Sequence, residues 1–126
     1  MKDLKDFTYG FIGLGLMGGS LAKAVRENVL DVPDAQGKIY ASDTNHVSLD
    51  KALSEKIIDK GFDTADTGKM LSECDFVYIC LYPHKTKEFL IEHKKNFKKN
   101  AIVTDISGVK TIIFKHLAEF QSPDFD

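Results

Sequence analysis

Tyr9-Gly10-Phe11-Ile12-Gly13-Leu14-Gly15-Leu16-Met17-Gly18 passes from a short apolar run, through three glycines spaced G-x-G-x-x-G, into a stretch of helical period that lasts to Asn28. A buried strand feeding a helix through such a turn needs each glycine for its own reason. Gly13 permits the tight turn, Gly15 lets a pyrophosphate approach the backbone, and Gly18 lets helix and strand pack closely. Gly19 and Ser20 are expected to extend that close packing. Working outward, Lys38 to Ala41, Asp75 to Leu81 and Ala101 to Thr104 are further short runs rich in β-branched and aromatic residues, as parallel strands buried on both faces are. Helix-period segments lie between and after them at Asn45 to Glu55, His84 to Phe97 and Val109 to Phe120. The stretch Ile57 to Leu71 has no clear period and leaves room for a short third strand and a short helix. This alternation predicts a single α/β domain of the Rossmann type: a doubly wound, mainly parallel sheet with helices on both faces. There is no internal repeat, low-complexity tract or linker within the 126 residues.

The second strand carries the partner that a dinucleotide loop requires. Asp43 follows Ile39-Tyr40-Ala41-Ser42 about 25 residues beyond Gly18, near the offset of ~20 at which a carboxylate meets the adenosine ribose hydroxyls. Gly13, Leu14, Gly15, Leu16, Met17 and Gly18 are therefore expected to hold the pyrophosphate, with the helix N-terminus supplying free N–H groups and partial positive charge. An acid at position 43 repels a 2′-phosphate, and the following Thr44-Asn45 offers no guanidinium to pair with one. The expected cofactor is NAD, with NADP disfavoured. By the rule that ligands sit at the carboxyl ends of the strands, Leu81, Tyr82, Pro83, Ser107 and Gly108 should line the same cleft.

Composition narrows the remaining classes. With 43% apolar and 29% charged residues the chain can build an ordinary core, and a net charge of −2 gives no drive toward nucleic acid or anionic lipid. The longest apolar run, Phe76 to Tyr82, is far below the ~20 residues of a membrane span, and the start Met1 to Asp6 has no signal-peptide core. A cytoplasmic protein with no nucleic acid or membrane partner is expected. Cys74 and Cys80 stand in no metal or redox spacing and read as reduced structural thiols. No metal site is expected from His46, His84, His93 or His116, which read as solvated or capping side chains, His84 beside Pro83 being the one nearest the cleft. The basic run His93 to Lys99 reads as a solvated helix end.

Taken together, Gly13 to Ala22, Cys80-Leu81-Tyr82-Pro83 and Thr104-Asp105-Ile106-Ser107-Gly108-Val109-Lys110 resemble the amino-terminal domain of the prephenate dehydrogenase family, which includes arogenate dehydrogenases. The resemblance spans nearly the whole chain. It implies an NAD-dependent oxidative decarboxylation of prephenate to 4-hydroxyphenylpyruvate in tyrosine biosynthesis, with prephenate or arogenate as the small-molecule substrate. It further implies that the family's catalytic His-Pro segment and helical dimerisation domain lie beyond Asp126, so that this chain alone binds cofactor without turnover and a homodimer forms only through the missing part. Where the family tends to carry a serine this chain has Gly108. Ser107 and Lys110, the latter opening the last expected helix, are the substrate-side candidates. Two rival readings remain. The β-hydroxyacid dehydrogenases share Gly10 to Gly18 but differ at Gly19-Ser20 and Asp105 to Gly108, and a non-enzymatic NAD-sensing module needs no further domain.

Overall fold

A computed structural model describes residues 3–105 and 110–113. Six strands, β1 (Thr8–Ile12), β2 (Lys38–Ser42), β3 (Lys60–Phe62), β4 (Phe76–Ile79), β5 (Ile102–Asp105) and β6 (Lys110–Ile113), form one sheet in the order β3-β2-β1-β4-β5-β6. The first five are mutually parallel and β6 pairs antiparallel with β5. Four helices connect them: α1 (Leu16–Asn28), α2 (His46–Ser54), α3 (Thr67–Leu71) and α4 (Pro83–His93). This is the expected Rossmann-type order, in which the chain leaves β3 at one edge and returns through β4 on the other side of β1.

Apolar residues on both faces of the strands explain the two helical layers. On one side Phe11, Ile39 and Ala41 pack with Ala22 and Val25 of α1 and Leu49 and Ala52 of α2. On the other, Ile12, Val77, Ile79 and Val103 pack with Met70 and Leu71 of α3, Leu90 of α4 and Phe97. Phe11 and Tyr78, opposite one another in the β1–β4 register, stack with ring centroids 4.8 Å apart.

The two ends of the sheet are treated differently. At the amino end, acids close the strands: Asp75 accepts from Thr8 N–H and from Lys98 Nζ, and Asp59 accepts from Ile39 N–H and Arg26. At the carboxyl end the strands run into short loops whose helices point their N-termini at a common space. Ligand sites of this fold lie there.

Three expectations need correction. The stretch 110–113 is a strand, not the start of a helix, because the β-branched Thr111, Ile112 and Ile113 suit extended backbone and find a partner in β5; residues 114–120 lie outside the described residues. The run from His93 is not simply a solvated helix end. Helix α4 stops at His93, Phe97 anchors in the core and Lys98 reaches Asp75. Ser20 faces solvent and bonds the Leu16 carbonyl, so of the pair only Gly19 sits close to the strand-to-helix turn.

Candidate functional site

The turn between β1 and α1 is built by its glycines. Gly13 has φ +87°, a conformation other residues adopt only with strain, and a Cβ there would stand 2.9 Å from the Cys80 carbonyl oxygen. Its N–H bonds the Ser42 carbonyl, carrying the pairing with β2 one residue past the end of β1. A Cβ on Gly18 would run into the carbonyl oxygen of Gly13, so the helix can approach the strand only with glycine at this point. Gly15 differs from both, because among the described residues nothing lies within 4 Å of where its Cβ would be. Gly13 and Gly18 are required by the protein's own packing, whereas Gly15 borders open space.

Gly15 is the N-cap of α1, and no side chain caps that helix. The first N–H groups of a helix have no intrahelical partner, and here no capping oxygen among the described residues is bonded to them. Leu16 and Met17, in the first turn, are 90% and 62% exposed and flank the opening. The residues fit a pyrophosphate: an uncapped N-terminus of a 13-residue helix, with clear space in front of Gly15.

Asp43 is tied to this turn directly. Its Oδ2 accepts from Leu14 N–H at 2.8 Å and its Oδ1 from Asn45 N–H at 2.9 Å. Leu14 is buried, so its N–H has few other partners, and the bond fixes the carboxylate beside the glycine loop. A carboxylate has lone pairs for about four hydrogen bonds, and the two unused ones can accept from vicinal ribose hydroxyls. Asn45 then caps α2 by accepting from Val47 and Ser48 N–H.

A cleft of about 590 Å³ opens beside these groups, lined by Gly13, Asp43 and Leu81 of the expected residues. The rest of its lining was not anticipated: Thr64 and Thr67 after β3, and Phe89, Glu92 and His93 on α4. Thr67 is held by a 2.9 Å bond between its hydroxyl and that of Ser42, both buried. His93 is thus no solvated side chain, being 17% exposed, packed against Phe89 with the two rings inclined by 41°, and bonded to Asn96 and Glu92. Helical period alone marks Phe89 and His93 as inward-facing, but it does not separate a wall of a cleft from a core contact.

Tyr82 and Pro83 open α4 at the carboxyl edge, Tyr82 being 77% exposed with its ring stacked on His84 at 6.4 Å. His46 pairs with Asp63 across the rim of the cleft. Lys110 begins β6 opposite Asp105, placing it at the same end of the sheet. Ser107, Gly108 and His116 lie outside the described residues. Cys80, beneath Gly18, has its thiol pushed up to about 12 by burial first and by Asp105 second; burial does the same to Cys74. Both are free and neither is activated as a nucleophile. Among the described residues no group of His, Cys, Asp or Glu is arranged to hold a metal, and no helix is long and apolar enough to cross a membrane.

The sequence profile of the family described as "Prephenate dehydrogenase, nucleotide-binding domain" matches residues 21–124. The chain belongs to this family. The matched span begins after the glycine loop, so the loop's assignment stands on its geometry. A solved prephenate dehydrogenase from A. aeolicus, in complex with hydroxyphenyl propionate and NAD+, is 32% identical with a TM-score of 0.67, the match covering 82% of this chain and 34% of that one. Synechocystis arogenate dehydrogenase superposes equally well, with a TM-score of 0.67 over 82% of this chain and 34% of its own, and at 22% identity it supports the fold alone. The chain thus spans about a third of these solved relatives. The tRNA modification GTPase MnmE of Alkaliphilus oremlandii is 33% identical over 118 residues, 84% of this chain but 25% of that protein. The loop here reads Gly13-x-x-x-x-Gly18-Gly19-Ser20, with glycine where the phosphate loop of nucleoside triphosphatases carries its lysine. Family, fold and loop agree on a nucleotide-binding domain of a dehydrogenase.

Proposed function

We propose that this chain is the NAD(H)-binding part of an oxidoreductase that converts prephenate, or its amino analogue arogenate, by oxidative decarboxylation on the route to tyrosine. The observation that carries the reading is the pairing of an uncapped α1 N-terminus with Asp43, whose carboxylate is fixed by Leu14 N–H. NAD+ held there supplies the hydride acceptor. The chain's own part is binding and orientation. N–H groups of the first turn of α1 take the pyrophosphate, and Asp43 accepts from the ribose hydroxyls and repels a 2′-phosphate. Leu81, Tyr82 and Pro83 border the route toward the reacting ring, and the Lys110 position, with Ser107 and Gly108 just before it, serves the substrate side. The His-Pro segment and the dimer-forming helical domain that the family resemblance implies would complete the site. The reading also implies a cytoplasmic enzyme with no nucleic acid or membrane partner, a compartment in which Cys74 and Cys80 remain reduced.

Calorimetric titration of this chain with NAD+ and NADP+ in parallel tests the cofactor half of the proposal. Saturable NAD+ binding with NADP+ at least about tenfold weaker is expected, a difference of roughly 1.4 kcal/mol. Equal binding of both overturns the role given to Asp43, and binding of neither overturns the cofactor reading. The substrate half is tested on a longer chain carrying the family's second domain, by NADH absorbance on addition of prephenate or arogenate.

A further inference from the structure

The cleft runs on past the ribose carboxylate into a space whose far wall is Phe89, Glu92 and His93 of α4. The chemistry of that wall is asymmetric. Phe89 offers an aromatic surface, and the His93 ring packs against it at a centroid distance of 4.5 Å, inclined by 41°. Glu92 and His93 form a fixed pair at its edge: His93 Nδ1 meets the Asn96 side-chain amide at 3.0 Å and Nε2 meets Glu92 Oε2 at 3.3 Å. Carboxylate oxygens only accept hydrogen bonds, so Glu92 faces the imidazole as an acceptor. That bond uses one lone pair of Glu92 and holds the carboxylate at the cleft, with its remaining lone pairs able to accept. An aromatic wall with an acceptor at its rim suits a flat heterocycle bearing an N–H donor on its edge.

We infer that Glu92, positioned by His93, accepts a hydrogen bond from the exocyclic amino group of the adenine of the bound dinucleotide, making this wall a reader of the base as well as a surface for it. The inference rests on the NAD(H) reading above and assigns to α4 a specificity that the glycine loop and Asp43 do not supply. Ser42 and Thr67 are engaged with one another, and Asp43 is committed to the glycine turn and the ribose, which leaves Glu92 as the other charged acceptor lining the cleft among the described residues.

The test compares NAD+ with its 1,N6-etheno derivative, whose fused ring removes the amino N–H donors, in calorimetric titrations of this chain and of Glu92→Ala. Glu92 is 75% exposed, so the substitution should leave the melting temperature unchanged, which a thermal scan checks. A hydrogen bond to a charged group is among the stronger ones; the wild-type chain is expected to bind NAD+ about tenfold or more tightly than the etheno derivative. In Glu92→Ala, NAD+ should weaken to the level of the etheno derivative while the latter stays unchanged. A wild-type preference that persists in Glu92→Ala, or an equal loss for both nucleotides, overturns the inference and leaves the cofactor reading standing. Failure of the wild-type chain to bind either nucleotide overturns both.

Discussion

Helices α1 and α2 leave adjacent parallel strands on the same face of the sheet, yet their N-termini are finished in opposite ways. Asn45 closes α2 with its own side chain, accepting from Val47 and Ser48 N–H. Among the described residues, Gly15 leaves α1 without a side-chain cap and with open space in front. An Asn cap contributes a few tenths of a kcal/mol over glycine and about 1 kcal/mol over alanine, so a 13-residue helix whose N-cap is glycine forgoes a side-chain bond that a single residue could supply. The contrast locates the ligand: the end the protein satisfies itself is structural, and the end it leaves unsatisfied is where an anion completes the helix. Asp43 stands between the two, bonded to Leu14 on the α1 side and Asn45 on the α2 side, so the ribose acceptor is held by both turns.

Closing the open end should have the largest effect. Gly15→Val adds a side chain where the described residues place no atoms, and is expected to reduce NAD+ affinity on the order of 100-fold, about 3 kcal/mol. Calorimetry reads the affinity and a thermal scan the folding; a folded Gly15→Val chain that binds normally would break the comparison. Gly18→Ala, three residues on, should do the reverse. Its Cβ meets the Gly13 carbonyl oxygen, which belongs to the backbone and has little room to yield, so a loss of about 1–3 kcal/mol in unfolding free energy is expected in a denaturant titration. The two variants distinguish a glycine kept for a ligand from one kept for packing.

How much of this was legible follows from what kind of signal each residue sends. The strands β1, β2, β4 and β5 declare themselves because burial on both faces forces continuous apolar runs, and Asp43 because its place after β2 is fixed by the loop before it. Residues 110–113 misled because a four-residue stretch is too short to hold a period, and pairing with β5, a tertiary contact, decides it. Phe89, Glu92 and His93 were missed for a different reason. Their face of α4 is inward by period, but that it faces an opening depends on Thr64 and Thr67 standing across from it, and no local pattern records that separation. The Asn45 cap was present in the sequence as an Asn before a helical stretch, and its meaning emerges only beside the uncapped neighbour.

Asp43→Ala acts on both turns together. It removes the ribose acceptor and strips Leu14 N–H and Asn45 N–H of their partner; because Leu14 is buried, its stranded donor costs about 1–3 kcal/mol. NAD+ affinity should fall about tenfold or more, with a measurable drop in melting temperature. Asp43→Asn keeps an acceptor oxygen for Leu14 and removes the charge, so it should recover most of the stability while narrowing the gap between NAD+ and NADP+. If the two variants lose affinity for both nucleotides alike, position 43 supports the loop only and does not select the cofactor.

The smallest effect is expected where the comparison is sharpest. Asn45→Ala opens the N-terminus of α2, leaving Val47 and Ser48 N–H to water, and should cost about 1 kcal/mol of stability with NAD+ affinity changed by less than about twofold. The backbone N–H of residue 45 survives the substitution, so its bond to Asp43 Oδ1 and the carboxylate's position are kept. An uncapped helix end is then present twice in one chain, and only the one with a glycine turn and a fixed carboxylate beside it should take the pyrophosphate. A second equivalent of NAD+ bound by Asn45→Ala would show that an open helix end is sufficient by itself; an unchanged stoichiometry of one would show that the turn and Asp43 are required as well.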